Sequence, residues 1–414
     1  MKDLFADQRA ILFFVLAFAF TCACFLSSCA ERPVGADIPL PKGPYLLYTG
    51  TTESMTVQWQ TENTPTFSKI DWGSTTDYGN EVTTTENSSQ PGDHQFSYTI
   101  TGLTPGNKIY YKVSTQFWSY ASYFWTPPDP SDTSLTFYAV GDTRVAISTF
   151  NQIASLIVKD MDVNGVHGTI LLDAGDFATH GMDEGELESN YFFRDPPDVR
   201  TLLSRVPVMV TPGNQDCYYT DERTIGKPFC GGLLRKYWPY RFAPNSERSY
   251  YSFECGPLFV CVLDQFTAPG FATPPDHQQY NWATAEIAAA TKPWKLVMFH
   301  EPAWSGRDKL YPTDEHGDHT EIQQYYQPVF VSSSVEVVVQ GHAHMYAHCV
   351  TEEVHYVTTG GAGAFPLAPQ LDAPCLVTAS EKRQFTKYMI SGDVMTVEAI
   401  DDTGAVIDRF EIER

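Results

Sequence analysis

Basic residues are scarce in this chain. Lysine and arginine number 27 against 50 aspartates and glutamates, a formal net charge of −23, and they form no basic run. Contact with a nucleic-acid backbone needs lysines and arginines that displace counterions. A chain this acidic is repelled by polyanions instead, which excludes a nucleic-acid-binding module. No internal repeat or low-complexity tract is present, so repeat architectures are excluded as well. No cysteines have zinc-ribbon spacing, which argues against thiolate metal ligation. The apolar stretch Ile11–Leu26 is short for a membrane span.

That stretch instead reads as a targeting segment. Lys2 and Arg9 precede it and Leu26-Ser27-Ser28-Cys29 follows, as at a small-residue processing site. The ending resembles a bacterial lipobox, which implies that residues 1–28 are removed and Cys29 carries lipid. Asp3 and Asp7 dilute the positive region, so an ordinary signal peptide with an incidental cysteine is the alternative. Residues 29–42, rich in proline, then serve as a tether. The expectation is an exported protein of the cell envelope, held to the membrane by lipid only. Six further cysteines remain: Cys217, Cys230, Cys255, Cys261, Cys349 and Cys375. Disulfides suit an oxidising compartment. Proximity suggests 217–230, 255–261 and 349–375, although six cysteines allow many pairings.

At 414 residues the chain has room for more than one domain. Residues 43–126 read as all-β. Ser54–Gln60 alternates polar and apolar residues, and 67–72, 95–100 and 108–115 are further strands between turn-rich stretches. Residues 127–133 form a proline-rich linker. Beyond it, strands alternate with helical stretches, of which 150–161 carries Ile153, Leu156, Ile157 and Met161 at helical spacing. Residues 282–290 suggest another helix. Near the end, 387–390, 394–400 and 406–412 read as antiparallel strands joined at Gly392-Asp393 and Thr403-Gly404.

Between residues 135 and 345, six short apolar runs bounded by glycine or proline read as buried strands. Five end on metal-ligand types: Asp142, Asp176, Asn214, His300, and the pair His342 and His344 in Gly-His-Ala-His. The sixth, 258–263, ends on Asp264, whose role stays open. Ligands sit outside the carboxyl ends of strands in open α/β sheets, so these six residues are expected on one rim. Singly, a Gly-Asp is more often a turn or cap, and His300 is as readily a core histidine. Two imidazoles at alternate positions near a strand end share a side and can grip metal. Six such placements together point to a pair of metal ions sharing a carboxylate.

The order of these motifs resembles the calcineurin-like metallophosphoesterases. Gly141-Asp142-Thr143-Arg144, Tyr250-Tyr251-Ser252-Phe253 and Phe299-His300-Glu301-Pro302 through Ser305 resemble its bacterial purple-acid-phosphatase-like branch. The stretch 101–113 is similar to a fibronectin-III strand junction and to the purple acid phosphatase N-terminal domain. The resemblance implies an α/β catalytic domain over 134–414, a four-layer β-sandwich flanked by helices, preceded by an all-β fibronectin-III-like sandwich. It implies one metal held by Asp142, Asp176 and His344, and a second by Asp176, Asn214, His300 and His342. Imidazole and oxygen ligands suit iron, zinc or manganese. The implied reaction is hydrolysis of phosphate esters by a metal-bound hydroxide, monoesters ahead of diesters. The metals would supply the positive field that this acidic chain lacks.

Three positions depart from the family pattern. Arg144 stands where many members have a histidine ligand; its planar fork suits bidentate phosphate binding, with an outward salt bridge as the alternative. Thr179 replaces the tyrosine ligand of purple acid phosphatases, which implies an uncoloured protein. His180 follows it, as a solvent-facing loop residue or a neighbour of the site. Gln215 replaces the histidine after Gly-Asn; glutamine can hydrogen-bond an oxyanion but cannot act as a general acid. Loss of such a group costs about 10²–10⁴ in rate. His316 and His319 are candidates to bind substrate and replace it, or members of an exposed polar loop. A different-class alternative is a catalytically weakened surface binding protein on the same scaffold.

Overall fold

A computed structural model of the chain describes residues 42–414 apart from 91–92, 146, 180–183, 193–197, 218–231, 241, 245–248, 267–277 and 308–315. The expected signal segment, Cys29, nearly all of the tether, His180 and Cys230 lie outside the described residues.

The all-β segment is built from two four-stranded antiparallel sheets. Strand Ser54–Thr61 alternates as its sequence requires: Met55, Val57 and Trp59 are fully buried in the core shared by the two sheets. Strand Lys42–Tyr48 has a different environment on each face. Leu46 joins the sandwich core while Tyr45 and Leu47 join an apolar cluster of the second domain. The Tyr111 hydroxyl donates to Ser204 O (2.7 Å) across the same joint. The sandwich is therefore seated on the second domain by buried rings whose polar tips are satisfied.

The second domain contains a six-stranded and a seven-stranded sheet. Their residues alternate between cores as a period of two dictates. Phe137, Ala139, Ile170 and Leu172 of one sheet meet Val260, Val262, Leu296, Met298, Val337 and Val339 of the other in a central apolar layer. The intervening Tyr138, Val140 and Leu171 pack under helix Ile147–Val163 through Phe150, Ile153, Ile157 and Met161. On the far side, Phe259, Cys261, Val297 and Val338 pack under helices Gln278–Ala289 and Gln327–Ser332. The result is four layers, helix–sheet–sheet–helix, as expected. Strands such as Leu258–Val262 and Val337–Gln340 are buried on both faces, which explains their unbroken apolar sequences.

Parallel strands Ser134–Val140, Gly168–Asp173 and Val208–Val210 adjoin in the first sheet. Leu258–Val262, Trp294–Met298 and Val337–Gln340 adjoin in the second. The six candidate ligands thus leave the carboxyl ends of strands in two sheets, not one rim of a single sheet. The C-terminal strands are antiparallel as read from the sequence, and the first pairs with Ser134–Val140.

Two of the three cysteine pairs expected from proximity are not bridged. Cys255 faces the central layer and Cys261 the outer one, so a 255–261 bridge is excluded by the pleat, and both are free. Cys349 and Cys375 are neighbours, Sγ to Sγ 2.9 Å, but are also free thiols. Cys217 is disulfide-bonded.

The central layer is where truncation should cost most. Phe137 is fully buried and stacks on Tyr388, centroids 4.6 Å apart and planes 2° from parallel. Phe137→Ala is expected to destabilise the domain by about 3–5 kcal/mol, measured as a lower urea midpoint with unchanged slope.

Candidate metal centre

Each candidate ligand follows the end of a strand, in a turn or, for Asn214, at the start of the short helix Asn214–Cys217, and these segments are held tightly together. Asp142, Asp176 and His342 have left-handed backbones, φ +56°, +62° and +64°. Non-glycine residues adopt that conformation at a cost, and it clusters at functional sites. The glycines beside them let the turns touch. A Cβ on Gly213 would lie 2.2 Å from Asp176 Oδ1, and one on Gly175 would lie 2.7 Å from Gly213 N.

Asp142, Asp176, His300, His342 and His344 are buried together with Asn214. Asp142, Asp176 and His344 present ligand atoms all within 4.8 Å of one another. Asn214 Oδ1 lies 3.0 Å from both His300 Nε2 and His342 Nδ1. His300 Nε2 lies 3.4 Å from Asp176 Oδ1. Asp176 therefore faces both groups, as a bridging carboxylate must.

The surrounding backbone sets the histidine tautomers. His300 Nδ1 donates to Ala174 O (2.6 Å) and His344 Nδ1 to Phe365 O (3.0 Å), which leaves Nε2 of each as an electron-pair donor. Such outer hydrogen bonds are the usual support of metal-ligating imidazoles. His344 Nε2 is 3.5 Å from Asp142 Oδ1, and that buried oxygen has no hydrogen-bond partner. Asp142 Oδ2 accepts the His342 N–H (2.7 Å). An unsatisfied buried carboxylate oxygen facing an imidazole electron pair is what a metal ion would reconcile. The donor set fits two ions.

The electrostatics point the same way. Burial, then repulsion from Asp142 and Asp176, holds the Asp173 carboxyl well above its ordinary value, against hydrogen bonds from Tyr191 and Gly175. Asp216 is likewise raised by burial and by Asp176, although it accepts N–H groups of Asp176, Phe177 and Gly213. Asp176 is raised by burial. Burial acts upward on Asp142 too, but His344, His300 and Arg144 together outweigh it and hold that carboxyl below its ordinary value.

Arg144 turns inward. Its Nε donates to Asp176 Oδ2 (3.0 Å), and Nη2 lies 3.4 Å from His344 Nε2; among the described residues its salt bridge is this inward one. Gln215 gives its backbone N–H to Asp176 Oδ1 (2.9 Å). The His316 ring stacks on His342, centroids 4.9 Å apart, and meets His344 edge-on at 5.1 Å. His319 is drawn instead to Glu301 (3.2 Å), just before helix Thr320–Tyr325. Thr179 is half-buried in the turn after Asp176.

The family model for calcineurin-like phosphoesterases matches residues 135–346. The chain belongs to the calcineurin-like phosphoesterase family. A model for the purple acid phosphatase N-terminal domain matches residues 41–128. A purple acid phosphatase of Glycine max is 26% identical over 259 residues, which is 60% of this chain and 51% of that protein. An Arabidopsis thaliana Fe(3+)-Zn(2+) purple acid phosphatase is 23% identical over 257 residues, 60% of this chain and 50% of that one. The chain thus spans about half the length of these curated relatives. The solved purple acid phosphatase from yellow lupin (Lupinus luteus) seeds shares the fold, with TM-score 0.73 and 17% identity, covering 90% of this chain and 74% of that one.

Several residues that support the centre were not apparent from the sequence. Gln265 Oε1 accepts the N–H groups of both His300 and Glu301 and so fixes the His300 turn. Its neighbour Asp264, whose role the sequence left open, caps its own turn by accepting Phe266 N–H. The Gly360-Gly361-Ala362-Gly363 run presses on the Asp142 turn, where a Cβ on Gly360 would come 2.8 Å from Asp142 Oδ2. The glycine cluster was visible in sequence; its partner was not. Asp216, directly after Gly-Asn-Gln, anchors three backbone N–H groups.

Carboxyls that bind protons more tightly when folded than when unfolded lend stability that is complete below the ordinary aspartate value and is lost as pH rises through their raised values. As pH rises above the ordinary aspartate value, the metal-free protein should therefore lose Tm more steeply than protein loaded with zinc. Parallel calorimetric scans with chelator and with zinc test this; equal slopes would dissociate the buried carboxylates from cation binding.

Proposed function

We propose that the chain is a binuclear metal-dependent phosphoesterase, acting on phosphate monoesters ahead of diesters. One observation carries this reading: Asp176 lies between a group formed with Asp142 and His344 and a group formed with Asn214, His300 and His342. Membership of the phosphoesterase family supports it, as do curated relatives that are purple acid phosphatases. Iron, zinc and manganese all suit the ligand set. When bound, the ions supply a water of lowered pKa and Lewis-acid stabilisation of the phosphoryl oxygens.

The chain's own residues divide the remaining work. Arg144 presents the one guanidinium adjoining both Asp176 and His344 among the described residues, and clamps a phosphoryl oxygen through its fork. Gln215 lacks an acidic proton at the position where the family carries histidine, so it orients substrate without protonating the leaving group. His316, lying over His342 and His344, serves as the proton donor; His319 is tied to Glu301. With Thr179 in place of the tyrosine, the loaded protein has no phenolate charge-transfer band. We further propose that the protein is exported and anchored through lipid on Cys29.

The purified protein should hold close to two metal ions per chain and hydrolyse an aryl phosphate in a chelator-sensitive manner. Asp176→Asn should lose metal and turnover together. Retained ligand binding with no turnover after metal addition would instead favour a binding protein on this scaffold.

Proton donation has its own test. Gln215→His should raise kcat most for alkyl esters, and His316→Ala should lower kcat by about 10²–10⁴ for the same esters while sparing nitrophenyl esters. Equal losses on both ester types would remove His316 from that role.

A further inference from the structure

Large apolar side chains are exposed at eight described positions, and two of these, Val145 and Phe365, fall in two segments whose backbones contact the ligand cluster. Isolated exposed apolar residues are ordinary; concentration beside a reactive centre is not. Phe365 is 69% exposed, yet the segment that carries it is firmly held. Phe365 O accepts from His344 Nδ1, Leu367 N–H returns to His344 O (2.9 Å), and Ala364 N–H donates to Asp142 O (2.8 Å). Arg383 Nη1 donates to Gly363 O (2.9 Å) and Arg307 Nη1 to Ala368 O (3.0 Å). The backbone that carries the exposed ring is thus fixed within one residue of contacts to two candidate ligands.

Val145 stands on the other segment, directly after Arg144. It is a β-branched residue at φ +73°, a conformation that valine resists and that persists where the surroundings impose it. The two segments touch, since a Cβ on Gly363 would lie 2.3 Å from Thr143 O and 2.9 Å from Arg144 O. Exposed apolar surface therefore adjoins the Arg144–His344 pair from both sides, one from each segment. Arg307 and Arg383 donate to carbonyls of the Phe365 segment.

We infer that the substrate is a phosphate ester of an apolar alcohol, alkyl or aromatic, whose apolar part covers Phe365 and Val145 while its phosphoryl group is held at the ligand cluster and Arg144. This inference rests on the phosphoesterase reading. A pinned aromatic surface loses little freedom when it is covered, so its burial is realised as affinity.

The metal-loaded protein should be tested with two esters of similar leaving-group basicity, hexyl phosphate and glycerol phosphate, and two non-hydrolysable probes, benzylphosphonate and methylphosphonate. Hexyl phosphate should show the higher kcat/KM, and benzylphosphonate the lower Ki. Phe365→Ala should weaken both preferences about tenfold and leave glycerol phosphate and methylphosphonate within about twofold. Leu371→Ser serves as an exposed control that alters neither preference by as much. Equal losses on apolar and polar probes would make Phe365 a support of His344 only and overturn the inference. So would a wild-type protein without preference, or one whose exposed segment instead drives binding to phosphatidylcholine vesicles. If neither ester is hydrolysed and neither phosphonate binds, the phosphoesterase reading fails first.

Discussion

Like charges buried together repel strongly where no water screens them, and Asp142, Asp173, Asp176 and Asp216 are all buried at the carboxyl ends of three adjoining strands of the six-stranded sheet. Much of the catalytic domain exists to hold them there. Backbone N–H groups are assigned to each: His342 to Asp142, Gln215 to Asp176, Gly175 to Asp173, and three donors to Asp216. These bonds spread the negative charge without removing it. The remaining imbalance is the driving force for taking up cations.

The sheets supply the rigidity that such crowding needs. Each is buried on both faces, so its strand ends cannot relax outward without exposing apolar surface. Left-handed Asp142, Asp176 and His342 are sustained by that stiffness. Histidine orientation comes from the same frame, because the carbonyls that accept from His300 and His344 belong to turns fixed elsewhere. Even the sandwich contributes, as Tyr45 and Leu47 complete the apolar layer beneath helix Ile147–Val163.

Against this fixed floor, the variable chemistry lies in the side chains that stand over it. Arg144 and Gln215 replace histidines of the family pattern, and each keeps a bond to Asp176, so the bridging carboxylate is held by residues that do not themselves ligate. In the proposed reading, proton transfer falls to the segment that carries His316. The inferred preference for an apolar ester rests on the strap after the glycine run, whose backbone serves His344 while Phe365 stays exposed.

Much of this was legible in the sequence because it depends on local periodicity. The buried strands, the C-terminal antiparallel ladder, helix Ile147–Val163 and the six candidate ligands are all marked by local apolar spacing and by runs that stop at glycine. The family resemblance implied which ligands would share an ion. Tertiary structure alone decided what depends on residues distant in sequence. It divided the strands between two sheets, and it separated Cys255 from Cys261 because the pleat faces them to different layers. It turned Arg144 inward, brought His316 over His342 but His319 to Glu301, and seated Gly360 against Asp142. A sequence determines which residues prefer burial and where a strand ends; which two strand ends meet is set by the packing of whole sheets, which no local window contains.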